Sequence, residues 1–468
     1  MRSLSYLLFA LIFPIAVIAQ TPVSGGIYQN TTWNLSGSPY LVTGSIVVFP
    51  GNTLTIEPGC IVRFKADSSF NTGNFIYLEI RGALNAVGTP ESPIAFTSTD
   101  TSDGFYNWMG IRIKGSQGGS VVMNNFELHN SWYGLHNDIS EPGVAYSFSN
   151  SLFKKNNYAI QLNADMNYSN CRFEKNGVGQ AAQIVYGTLN ASNCEFIQNF
   201  CSFTWSNSIF VNDCVFDGNQ NNIIGSPGTI QNSSFLNNTF AFTESANLQI
   251  TNCTFEGNEV GVDENGGSNI NNCSFYNNGI AVKLGESSVL TNNVISLNGS
   301  GVQVRAYNPT TTEINDNQIC YNTLFNLENL TDKNFQVNTN CFCSTDSTEI
   351  ENSILDGYDD ITRGLINYSI YDSSCINVER VVAKVILEEP TSISNESANT
   401  DDFDISLNGK TVQIVVNTAG FVRIHNLMGQ LLYSDALNAG SNQITLGLNQ
   451  GIYIVSDSKG NWKKFYLP

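Results

Sequence analysis

The sequence predicts an all-β protein: a parallel β-helix solenoid followed by a small C-terminal β-sandwich. Three observations predict it. Phe153, Phe173, Phe196, Phe216, Phe235, Phe255 and Phe275, continued by Ile295 and Ile319, recur at steps of 20, 23, 20, 19, 20, 20, 20 and 24 residues. Three positions after each stands an asparagine: Asn156, Asn176, Asn199, Asn219, Asn238, Asn258, Asn278, Asn298 and Asn322. Beyond residue 402 this period gives way to short alternating runs, such as Thr411–Val416 and Phe421 to Asn426.

The chain begins with a segment apart from the fold. Arg2 precedes a nearly unbroken apolar run from Leu4 to Ile18, and Ala19 offers a small residue before the polar Gln20 and Thr21. This reads as a secretory signal peptide over residues 1–19. The mature chain shows no other apolar run long enough to span a bilayer. Export is therefore expected, to the medium or to the outer cell surface.

Residues 20–385 read as the solenoid. In each repeat a small residue lies two positions before the Phe (Cys171, Cys194, Cys214, Ser233, Cys253, Cys273). Two positions apart in a strand means one face. The Phe and small-residue columns should therefore point inward together, each stacked about 4.8 Å above the last. A second short strand follows each bend, as in Ala281-Val282-Lys283-Leu284 and Gly301-Val302-Gln303-Val304. Strands at this interval without intervening helices imply stacked parallel coils. Asparagine suits the bends, because it tolerates the left-handed region and its amide can bond along a stack. The cysteine column is expected to hold buried thiols that act as small fillers.

Residues 386–402 are acidic, polar and turn-rich, and read as a linker. Residues 403–468 then carry several short strands with turn signals, as a small sandwich requires.

Composition bounds the function. Asp+Glu number 40 against Lys+Arg 21, a net charge of −19, so a nucleic-acid footprint is not expected. With 28 Phe and 19 Tyr in the chain, disorder is not expected either.

The opening segments Leu54-Thr55-Ile56-Glu57-Pro58-Gly59, Leu78 to Leu84 and Trp108 to Ile113, with the columns above, resemble secreted right-handed parallel β-helices of the pectate-lyase-like superfamily. Asn340-Cys341-Phe342-Cys343 and Ile354-Leu355-Asp356-Gly357 resemble their closing segments. The C-terminal run, with Leu448-Asn449-Gln450-Gly451-Ile452-Tyr453, resembles the sorting domain of the type IX secretion system. That resemblance implies the secretion machinery as a partner. The β-helix resemblance implies clustered carboxylates, a calcium ion and a basic residue in any lyase.

Candidate chemistry is sparse. Asp263 and Lys283, with Arg305 close by, fall at outward positions of successive coils and form the best candidate patch. Asp356, Asp359 and Asp360 are candidate calcium ligands. Cys320, Cys341, Cys343 and Cys375 cluster near the solenoid's end, where a disulfide could fasten a cap. His129 and His136 flank Trp132-Tyr133 and could line a groove, although bend positions account for them as well. No organic cofactor is expected. The expected function is non-catalytic glycan binding or adhesion, with polysaccharides or cell-surface glycans as partners. The competing reading is a polysaccharide lyase or glycoside hydrolase acting on an acidic polysaccharide.

Overall fold

The computed structural model describes residues 20–372, except 67–74, 101–106, 139–144, 178–182, 205 and 226, and seven strands between Phe403 and Leu467. The leader at 1–19, the linker at 386–402 and Cys375 lie outside the described residues. The chain divides into two compact units, Met1–Asn377 and Val378–Pro468.

The first unit is a parallel β-solenoid with three strands per coil. In one regular coil these are Leu248–Thr251, Thr254–Glu256 and Val260–Glu264, here called the first, second and third faces. Each strand pairs in parallel with its counterpart one coil on: Thr251 with Asn271, Phe255 with Phe275, Asp263 with Lys283. Near the N-terminus the nine-residue strand Tyr40–Val48 spans two faces at once. Its first half pairs with Ile61–Phe64 and its second with Tyr77–Ile80.

The phenylalanines stack as their spacing requires. Phe153 to Phe275 pair in register, with successive ring centroids 4.6–5.1 Å apart and planes within 11° of parallel. All seven are fully buried. Each contributes roughly 1.5–3 kcal/mol by burial alone, and the ring contacts add about 0.5–1.5 kcal/mol.

The asparagines divide into two populations, where bends alone were expected. Those three positions after each Phe form a buried ladder. Asn219 is typical: its Nδ2 donates to Phe196 O (2.7 Å) and to Asn238 Oδ1 (3.2 Å). Its Oδ1 accepts from the backbone N and the Nδ2 of Asn199 (2.7 and 3.1 Å). Every polar atom of the amide is thus satisfied inside the core, the condition under which burying it is tolerable. The ladder begins at Ser131, which donates to Asn156 Oδ1, and ends on Asn326. None of these ladder asparagines has positive φ.

The left-handed bends lie elsewhere. The residues three before each Phe, Asn150 through Asn292, hold φ between 50° and 57°. A second left-handed column falls two after each Phe, at Lys155, Lys175, Gln198, Gly218, Asn237, Gly257, Asn277, Leu297 and Tyr321. Its mixed composition hid it from sequence reading.

The thiols of Cys171, Cys194, Cys214, Cys253 and Cys273 are free and buried. The backbone N of Cys171 donates to Cys194 Sγ at 3.4 Å, and Cys253 N to Cys273 Sγ likewise. In later coils Asn293, Asn317 and Asn340 take over this column as a second amide ladder. At the far end Cys320 is bonded to Cys343, their Cα atoms 5.7 Å apart. Cys341 Sγ lies 4.0 Å from Cys343 Sγ.

In the second unit the described strands form two antiparallel sheets. One joins Phe403–Asn408, Thr411–Val416 and Gly440–Thr445. The other orders Leu431–Leu437, Gly420–Asn426, Gly451–Asp457 and Trp462–Leu467. Ile414 and Ile424, one in each sheet, are fully buried.

Candidate functional site

The third face has two charged regions, and the predicted patch is one of them. Lys283 Nζ is 3.6 Å from Asp263 Oδ2, and Arg305 pairs with Asp263 Oδ1. Arg305 also donates to Glu264 O (2.9 Å) and Asn265 Oδ1 (3.3 Å). The column continues through Gln303, which donates to Glu328 Oε1 at 3.1 Å. Neighbouring Glu264 is fully buried, its carboxylate held by Gly266 N, Gly285 N and Ser288 Oγ at 2.6–2.7 Å. The structure therefore brings Asp263, Lys283 and Arg305 together as an ion cluster, with its one carboxylate engaged by both cations.

Asp356, Asp359 and Asp360 organise a turn. Buried Asp356 accepts from Tyr358 N (2.9 Å) and Ile366 N (2.7 Å). Asp359 Oδ2 accepts from Asp356 N at 3.3 Å. Asp360 accepts from Thr362 Oγ1 (2.7 Å) and pairs with Arg363 (3.2 Å). These hydrogen bonds, that of the Thr362 hydroxyl first, lower the Asp360 pKa. Among the described residues no three His, Cys, Asp or Glu side chains converge as a metal set.

The richer site lies in the opening coils. Glu79, Arg112, His136 and Gln161 occupy one outward column on consecutive coils. Glu79, only 2% exposed, bonds Arg81 Nε (2.5 Å) and Arg112 (3.3 Å). Arg112 reaches both oxygens of Asp138 (3.1 and 3.0 Å), which also pairs with Lys114. The bond from Lys114, opposed by desolvation and aided by Arg112, holds the Asp138 carboxyl below its usual range. His136 sits buried in this column. Desolvation first, and then the Arg112 charge, pushes its pKa down to about 4, so the imidazole is neutral at pH 7. Its Nδ1 has no hydrogen-bond partner.

Beside the column runs an aromatic edge. Trp132 and Tyr133 lie nearly parallel with centroids 5.6 Å apart, and Tyr133 and Tyr158 at 5.2 Å. Phe75 meets Trp132 edge-on at 5.1 Å, and the His136 ring is 5.2 Å from Tyr133. Trp132, Tyr133 and Tyr158 are half-buried. Such rings combine an apolar body with a polar tip. Local backbone makes the stack possible. Gly110 has φ +120, and a Cβ there would fall 1.4 Å from Tyr133 O. Only glycine lets the two coils approach at that point.

The two histidines part company. His136 belongs to this column, whereas His129 lies on the second face, bonded to Glu127 Oε2 at 3.1 Å. The sequence marked Trp132, Tyr133 and His136 but not Glu79 or Arg112. Those two lie 33 residues apart and carry no repeated signature.

The fold and this site define a parallel β-helix protein. A family model described as a pectate-lyase-like beta helix domain matches residues 25–139, which include Trp132 and Tyr133 of the aromatic edge and Glu79, Arg112 and His136 of the column. Among solved structures, ORF18 of Geobacillus virus E2 is similar at 12% identity, over 89% of this chain and 68% of that one, with a TM-score of 0.21. No curated protein matches. Among the described residues no helix is long and apolar enough to cross a membrane.

Proposed function

We propose that this is a secreted or outer-surface right-handed β-helix that binds polysaccharides or cell-surface glycans without catalysis. The observation that carries the reading is the aromatic edge of Trp132, Tyr133 and Tyr158 lying against the column Glu79–Arg112–His136. Half-buried amphipathic rings next to fixed hydrogen-bonding groups are what sugar rings need: apolar contact for their C–H faces and partners for their hydroxyls. Both described carboxylates, Glu79 and Asp138, are engaged by cations, which suits positioning better than proton transfer. The two antiparallel sheets beyond residue 402 are read as a sorting β-sandwich that engages type IX secretion. The experiment is retention of the full secreted protein on immobilised acidic and cell-surface polysaccharides. Trp132→Ala with Tyr133→Ala should weaken retention at least tenfold without changing the melting temperature. Release of unsaturated sugars, with or without calcium, would instead establish the lyase. Truncation after residue 385 should strand the protein inside the outer membrane.

A further inference from the structure

The first face carries a different pattern. From Tyr146–Ser149 to Val289–Thr291, each coil presents two outward residues there, paired in register with the coils on either side. From Ser147 and Ser149 to Val289 and Thr291, none of them is charged. They are Ser, Thr, Asn and Gln, interrupted only by Phe210 and Val289. Most soluble surfaces carry roughly a quarter to a third charged residues.

Stacking does not forbid charge. The second face of the same coils holds Lys154, Arg172, Glu174 and Glu195, and solves the repulsion by pairing Lys154 with Glu174 and Arg172 with Glu195. Over this stretch the outward positions of the first face stay uncharged in a chain whose net charge is −19; charge returns in the next coil with Glu313 and stands at the corner with Asp213. Some of the amides on the first face are also held in line. Asn190 Nδ2 donates to Asn167 Oδ1 (2.9 Å), and Asn271 Nδ2 to Thr291 Oγ1 (2.8 Å). At the adjoining corner Asn232 Nδ2 donates to Asn212 Oδ1 (2.9 Å).

We infer that this first face is a second docking surface, for a neutral linear polysaccharide lying along the solenoid axis. The partner follows from complementarity. A face without charge loses little when its water is displaced, whereas charged groups would resist desolvation. A polyanion would meet no cation there and would face an acidic body. Amides and hydroxyls both donate and accept, as sugar hydroxyls do. Their regular spacing of about 4.8 Å per coil suits a periodic polymer, and Phe210, 47% exposed, offers contact for C–H groups. Alignment of the amides before binding lowers the entropy lost on docking. This surface lies on a different face from the aromatic edge, so the two are separable.

The test uses the full chain carrying Trp132→Ala, which takes the largest ring off the aromatic edge and weakens binding there. Retention is measured on insoluble cellulose, chitin and β-glucan. The variant Thr229→Glu/Gln249→Lys/Asn269→Glu places alternating charges on neighbouring coils, as the second face does, and should keep the fold. It should lose at least tenfold in retention, and Gln249→Lys alone about threefold, with unchanged melting temperature. The inference is overturned if none of the neutral polymers is retained by the Trp132→Ala protein, or if the triple variant binds as well as its parent. It is also overturned in favour of a second copy of this chain if sedimentation shows a dimer that the triple variant dissolves without any polymer bound.

Discussion

The opening coils and the regular coils solve the same packing problem in different ways. Between residues 145 and 322 neighbouring coils are closely similar, and the two main columns are each held largely by one residue type: Phe on Phe, Asn on Asn. The outward pair Asp263–Lys283 is partly exposed and neutralises itself. Between residues 77 and 138 no long column of one residue type runs from coil to coil, and the outward column holds a 2%-exposed Glu79 and a buried His136. Repetition makes a rigid rod, because every amide finds the same partner above and below. Where repetition lapses, polar groups are buried with individual partners, and two atoms there, Asn125 Oδ1 and His136 Nδ1, have none.

The largest test of this contrast breaks the ladder. Asn219→Ala removes four hydrogen bonds and leaves buried groups on Asn199 and Phe196 unpaired. It should cost about 3–5 kcal/mol in urea denaturation. Asn232→Ala, at an exposed left-handed corner, should cost only about 1 kcal/mol. Equal losses would mean that the two asparagine populations do the same work.

Next in size is a pH effect confined to the opening coils. His136 has a folded pKa of about 4, below its ordinary value of 6.5, so the unfolded chain binds the extra proton between those values. Stability should therefore be fully present above pH 6.5 and fall as the pH drops toward 4, by roughly 3 kcal/mol. Thermal melts across pH 4–7 should show this slope, and His136→Gln should flatten it.

A smaller effect concerns the hidden bends. Leu297 holds φ 61, which a bulky side chain adopts at a penalty even without branching at Cβ. Leu297→Asn should stabilise the rod by about 1 kcal/mol, and a destabilisation would show that the exposed leucine makes contacts that matter. The smallest effect belongs to the outward ion cluster. Asp263→Asn should change stability by less than about 1 kcal/mol, since partly exposed pairs contribute little. A loss several times larger would make that cluster a structural clamp.

The legible parts of the fold were those written in repeated residues. Phe235 and Phe255 pair as their spacing of 20 requires, and Asn238 and Asn258 bond as their column implies. What the columns could not convey was which asparagine bends the chain and which fills its core, because both roles select the same side chain. The second left-handed column was invisible for the opposite reason: Lys155, Gln198, Leu297 and Tyr321 share nothing but backbone geometry. The candidate site was half visible. Trp132 and Tyr133 are adjacent in sequence, but their partners Tyr158 and Phe75 come from other coils.

By itself, the sequence determined the coil period, the inward columns and the parallel stacking, because a side chain recurring once per winding has only its own copies for neighbours. The tertiary structure alone decided the meeting of Glu79, Arg112 and His136. That meeting depends on how many residues each irregular coil inserts before the next strand returns to register, and no repeated letter records that length.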